Sequence, residues 1–405
     1  MKINILSGMF KKINQCDIYV GLWCIYMLQD VLYPSGIINQ VLQLIMLLWG
    51  ITTLFRFMVD SKEYSYSPIL KATFLLIVMY VIYGTIYIMF GNPTSNLDTS
   101  YYLQSALNSL VPIFLFYEFT MNGKLTSDRI RIYLPILLIV CILLYYKTEN
   151  QMLLKKGGEE ITNNAGYFFV SLIPFLFFYL KRPILQFAFF GVILLYVFMG
   201  MKRGAILIGV VGAIVFLYAN LKESSGKKKI FFFLLTMIII VGVSLYINHM
   251  MNNSAYFMAR VEDTLEGNTS GREDIYSGLW NILRLEPRPF YFYFGRGANS
   301  TLTIIGKVAH QDWLETFCNN GLLGVIILFV FFCKFAKSVW TSKLYFQRIM
   351  FYSFATLFII TFSKTLFSMS IQNLDLPITM LLGYFAYWMS QQTDDIEIYD
   401  YEQEE

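Results

Sequence analysis

Lys202 and Arg203 open an apolar run as KRGA, Arg272 lies near the start of SGREDIYSGLWNILRL, and His310 stands in AHQDWLE. A guanidinium fork matches two phosphate oxygens at once and keeps its charge at any accessible pH. An imidazole, with an ordinary pKa of about 6.5, is the side chain best suited to moving a proton at neutral pH. Such a set suits glycosyl transfer from a diphosphate: cations neutralise the charge developing on the leaving group, and the imidazole takes a hydroxyl proton. Arg296 joins the candidates from YFGRGANS (293–300), where Gly295 and Gly297 let backbone approach a ligand closely.

Each residue also has a plainer reading. Loop arginines beside a membrane bind lipid headgroups, and a lone histidine at a helix start caps it or sits at the interface. Snorkelling to outer headgroups and anion binding explain Lys202 and Arg203 equally well. Lys364, within TFSKTLFS, is a similar case and a candidate for substrate binding. His249 reads as structural.

The elements that position these residues are set by composition. Of 405 residues, 57% are hydrophobic, 18% aromatic and 14% charged, with mean hydropathy +0.54. Soluble domains carry about 25% charged residues, so the chain reads as an all-α integral membrane protein. The five cysteines form no CxxC pair and lie in or beside apolar runs, which suggests buried thiols. Two histidines leave no room for a multi-histidine metal centre within one chain. There is no nucleotide-binding GxxxxGK[ST] and no convincing paired acidic metal motif, so no cofactor and no metal site are expected. No small-residue cleavage site follows Lys11 and Lys12, and the first span is expected to remain as an anchor.

Because lipid offers no partner to open backbone groups, a spanning helix needs about 20 apolar residues. Twelve segments qualify: 17–33, 37–59, 69–90, 102–119, 131–147, 163–180, 184–201, 203–220, 230–248, 311–333, 349–370 and 374–390. Pro112, Pro135 and Pro174 should kink the spans that hold them. With the N-terminus inside, the inner segments hold 19 of the 31 basic residues and the short outer loops hold 6, so both termini are expected in the cytoplasm. The chain then divides into spans one to nine (1–248), a large outer loop (249–310), spans ten to twelve (311–390) and a tail (391–405) with seven acids. Within the loop, Ile275, Leu279, Ile282 and Leu283 share one helical face, which predicts an amphipathic helix at the membrane surface.

The order KRGA, SGR in a long outer loop, GxG, AHxDWLE and GxxG resembles the O-antigen ligase and polysaccharide polymerase superfamily, most strongly over about 160–330. The resemblance implies a multi-span glycosyltransferase of the GT-C type in the bacterial inner membrane. It would take a glycan from undecaprenyl diphosphate on the outer, periplasmic face. It implies that Arg203 and Arg272, with Lys202 beside them, hold the diphosphate and that His310 assists the acceptor hydroxyl. Asn163 and Asn164 match a family asparagine near the glycan path, and Asp312 follows the histidine as a further candidate for substrate binding. Gln311 stands where the family commonly has Asn. The implied partners are a lipid-linked donor, a lipid-linked glycan acceptor, membrane lipids and a chain-length regulator protein, with no nucleic acid. A polymerase acting in O-antigen or capsule assembly is preferred, since such proteins are the more numerous and divergent. A ligase acting on lipid A core shares the donor site. A transporter is disfavoured by the absence of repeated halves and of midplane charges.

Overall fold

The computed structural model describes residues 13–29, 36–59, 67–90, 99–155, 163–179, 182–253, 257–259, 262, 272–285, 288–346, 348–368, 371 and 374–403. Among them the chain is helical almost throughout and contains no strand. The helices are α1 (Gln15–Met27), α2 (Gly36–Val59), α3 (Pro68–Phe90), α4 (Thr99–Met121), α5 (Ser127–Lys155) and α6 (Gly166–Val170). After a 3-10 segment (Ile173–Tyr179) come α7 (Pro183–Met199), α8 (Arg203–Glu223) and α9 (Lys227–Asn253). The remainder are α10 (Arg272–Arg284), α11 (Pro289–Phe294), α12 (Ser300–Ile305), α13 (Asp312–Tyr345), α14 (Arg348–Phe367) and α15 (Leu376–Gln403).

Each of the twelve expected segments falls, over its described residues, on a helical element, and among the described residues seven helices are long and apolar enough to cross a bilayer; 30–33, 180 and 369–370 of the expected spans lie outside the described residues. The protein is an all-α, multi-pass membrane protein. Two packing centres organise it. α4 lies among α2, α3 and α15, while α14 lies among α8, α13 and the 3-10 segment. Both contribute to one continuous apolar core rich in phenylalanine and tyrosine.

Several spans differ from the sequence expectation for local reasons. α1 is only 13 residues long, started by a capping box in which Asn14 and Asp17 satisfy each other's backbone N–H groups. The sixth span is not a kinked α-helix but a five-residue helix followed by the 3-10 segment. Pro174 lacks the N–H that would continue the helix, and its ring clashes with the preceding turn. Side chains from neighbouring helices take carbonyls left over there: Gln186 Nε2 donates to Leu176 O at 3.1 Å, and Ser353 Oγ to Pro174 O at 2.8 Å. Pro112 and Pro135 sit inside α4 and α5. The backbone of α15 stays helical to Gln403, through most of the region read as a tail.

α13 runs past the expected end of its span and is broken at Gly321, which has φ 67° and ψ −163°. Here the turn around Gly295 docks. A Cβ on Gly295 would lie 2.2 Å from Asn319 O, and one on Gly321 would lie 2.5 Å from Gly295 N. Carbonyls freed by the break are taken from outside the helix. Arg296 N donates to Cys318 O (2.8 Å), Gly297 N and Tyr87 Oη to Asn319 O (3.2 and 2.7 Å), and Tyr83 Oη to Asn320 O (3.2 Å). Irregular backbone within a membrane protein persists only where protein satisfies it in this way. The glycines read as giving access to a ligand serve instead to join two stretches of backbone.

Candidate active site

α7 and α8 are joined by a single tight turn. Gly200 O accepts from Asn163 N at 2.7 Å, Met201 takes a left-handed φ of 49°, and Lys202 is the extended N-cap of α8. Asn163 holds this turn with the rest of its polar atoms as well: Nδ2 donates to Tyr145 O and Oδ1 accepts from Ala165 N, both at 2.9 Å. At 2% exposure it is a clamp, and its neighbour Asn164 is exposed.

The clamp places Arg203 and Gly204 against α6 and the end of α14. A Cβ on Gly204 would lie 2.2 Å from Tyr167 Oη and 2.8 Å from Phe367 Cβ, so only glycine lets α8 approach this closely. Tyr167 Oη donates to Phe367 O at 3.2 Å, and Arg272 Nη2 donates to the same oxygen at 3.4 Å. The first turn of α10 is thereby brought to the start of α8.

α10 forms over 272–284, as its periodicity predicts. Its apolar face packs on protein. Leu279 is fully buried with Ala309 and Cys318, and Ile275 and Leu283 pack there beside Ile304, Ile305 and Leu314. The face covers α12 and the first turns of α13, which orients Arg272 inward.

His310 completes the group from the loop before α13. It carries a left-handed φ of 54°, and Glu315 holds the loop beneath it. The buried Glu315 carboxylate accepts from Ala309 N at 2.6 Å and from Thr301 Oγ1 at 2.8 and 2.9 Å. The edge of His310 is exposed, yet its pKa lies below the ordinary value. Burial of the ring by its surroundings is the largest cause, and the charges of Lys202 and Arg272 follow. Two cations from different helices therefore act on one imidazole. Both α8 and α13 begin without a side-chain cap, so their first-turn N–H groups add positive potential at this end.

Glu315 is the last residue of AHQDWLE and fastens the loop that its first residue begins. As a latch it yields a test. Glu315→Ala strands two buried donors, and each costs on the order of 1–3 kcal/mol. A lowered thermal midpoint with His310 displaced is expected; an unchanged midpoint would show that the carboxylate holds nothing.

Other candidates are placed elsewhere. Lys364 is 3% exposed and paired with Asp375, and it also donates to Ser171 Oγ at 3.2 Å. Removing either partner of this buried pair would leave the other charge uncompensated, so Lys364 has a structural task here. Asp312 is also buried, and its Oδ2 accepts from Ile371 N at 3.1 Å. Arg296 lies in the turn docked on α13, its guanidinium 5.6 Å from the Tyr291 ring. His249 is on α9, bonded to Asn253.

Lys202 and Arg272 thus bring positive charge to His310, and Arg203 follows Lys202 in the first turn of α8. Residues 187–329 match the family model described as O-antigen ligase, a segment that includes Lys202, Arg203, Arg272 and His310. The match supports the resemblance to the O-antigen ligase and polymerase superfamily, whose members are glycosyltransferase-like enzymes acting on lipid-linked glycans. No curated protein matches the chain.

Proposed function

We propose that this chain is a polysaccharide polymerase that joins undecaprenyl-diphosphate-linked oligosaccharide units on the outer face of the bacterial inner membrane. The observation that supports the reading is the action of Lys202 and Arg272 on His310, together with the shared contact of Gly204 and Arg272 with Phe367, next to Arg203 in the chain. The donor's diphosphate lies against Lys202, Arg203 and Arg272. The acceptor's sugar hydroxyl loses its proton to His310 as its oxygen attacks the anomeric carbon. A new carbon–oxygen bond forms, the bond from that carbon to the phosphate oxygen breaks, and its electron pair leaves with undecaprenyl diphosphate. Attack from the opposite side inverts the anomeric centre. Cations poised where the leaving charge develops supply the stabilisation, and the proposed mechanism uses no metal. The basic-residue bias supports cytoplasmic termini and an outward-facing site.

The description of the matching family favours a second reading, a ligase that transfers the finished glycan to lipid A core. The glycan of a deletion strain separates the two. Single repeat units on carrier or core are expected for a lost polymerase; full-length chains stranded on undecaprenyl diphosphate would make the protein a ligase. Purified protein with lipid-linked oligosaccharide and a chelator should still form longer chains. Activity lost in chelator and restored by a divalent ion would overturn the mechanism.

A further inference from the structure

A cavity of about 540 Å³ opens among α1, α2, α4, α6 and α15, within the range of about 300–1,000 Å³ usual for small-ligand sites. Its wall carries five side-chain amides, Asn39, Gln40, Gln43, Gln104 and Asn108. Amides within spanning helices are costly where they face lipid and are retained where they face one another or a cavity. Some are already joined: Gln104 Nε2 donates to Gln43 Oε1 at 2.9 Å, and Gln43 Nε2 is bonded to Tyr26 Oη. Asn39 Oδ1 is buried without a hydrogen-bond partner, an acceptor still to be satisfied.

The chemistry of this wall differs from that of the cationic group. No lysine, arginine or histidine is among the described residues lining it, and its one carboxylate, Asp375, is neutralised by Lys364. An anion finds no counter-charge here. An amide both donates and accepts, as a hydroxyl does, so several amides suit a neutral group with several hydroxyls. Trp23 and Tyr26 supply flat apolar surface beside them. The two regions share a wall. Phe168 lines the cavity while its neighbour Tyr167 touches Phe367 and Gly204, and Lys364 lies behind Asp375 with its ammonium 6.0 Å from the Tyr167 ring.

We infer that this cavity is a sugar chamber, which takes the neutral, polyhydroxylated part of a lipid-linked glycan while the adjoining cations take its diphosphate. The inference rests on the glycosyl-transfer reading. The test uses the full chain in nanodiscs, titrated with bare undecaprenyl diphosphate and with the same carrier bearing the oligosaccharide extracted from native membranes. Wild-type protein should bind the glycan-bearing carrier about tenfold or more tightly than the bare one, the worth of one or two hydrogen bonds. The Gln43→Leu, Asn108→Leu double variant should bind the bare carrier as before and lose that advantage. Retention of the advantage overturns the chamber, and so does tighter binding of the bare carrier, which would mean that a lipid chain fills the space. A second measurement does not depend on the carrier. Maleimide labelling of an Asn108→Cys variant at that position should slow when the oligosaccharide, cleaved from its lipid, is added. Absence of protection overturns the chamber even if the diphosphate binds; protection with neither carrier bound retains the chamber and removes the glycosyl-transfer reading.

Discussion

His310→Ala is expected to lower the rate of chain extension by about 10²–10⁴-fold, the usual contribution of a positioned base. The protein should remain in the membrane at its normal level, since His310 is exposed. Normal long-chain glycan in that variant would remove the base from the mechanism. The wild-type pH profile gives an independent check on the same residue. Burial, Lys202 and Arg272 all disfavour the charged imidazole, so in the free protein His310 stays neutral to a lower pH than an ordinary histidine. Activity then falls only as pH drops through that depressed value. A bound diphosphate cancels part of the charge on Lys202 and Arg272 and raises the pKa again. The acid limb of kcat, which reports the complex, should therefore lie at higher pH than the limb of kcat/KM for the donor, which reports the free protein. Coincident limbs would mean that the anion does not bind beside the imidazole.

Arg272→Lys is the second large effect expected. Lysine keeps the charge but replaces a planar fork by a compact ammonium, so one of two paired hydrogen bonds to phosphate oxygens is lost. Removal of one preorganised donor from a transition-state site costs about 10²–10³-fold in kcat, and a fall of about a hundredfold is expected here. The side chain also donates to Phe367 O, but at 3.4 Å that bond is weak, and α10 stays anchored by Leu279. Stability should thus change little while turnover falls. A lysine variant with wild-type turnover would show that the guanidinium does not grip the diphosphate.

Much of this arrangement was legible before any coordinates, and the reasons are physical. Apolar runs of spanning length are forced by lipid, so helices arise where hydropathy places them. Arg272, with Leu279 and Leu283 in phase behind it, announces a helix with its cation at one end. What packs against that apolar face was not legible, because Ala309 and Ile305 are small parts of a loop whose course a periodicity cannot trace. Lys364 looked available for a ligand because its partner Asp375 lies eleven residues on, across a chain reversal. The clamp role of Asn163 was hidden for the same reason: its partners Tyr145 and Gly200 lie on other elements, far from it along the chain. Glu315 carried a signal, a carboxylate beside Asp312 at the start of a spanning segment, where charge alone marks a residue for scrutiny. The cavity carried one too. Asn39, Gln40 and Gln43 interrupt an apolar helix at its start, and Gln104 and Asn108 repeat at a spacing of four.

The seam between Gly295 and Gly321 is fastened by main-chain atoms, with no side chain of the GRG turn required. Between the two glycines the stretch acts as a gauge block: an inserted or deleted residue would carry Ala298, Ser300 and Thr301 out of register with the buried partners they meet, and the histidine that follows would be delivered to a different spot.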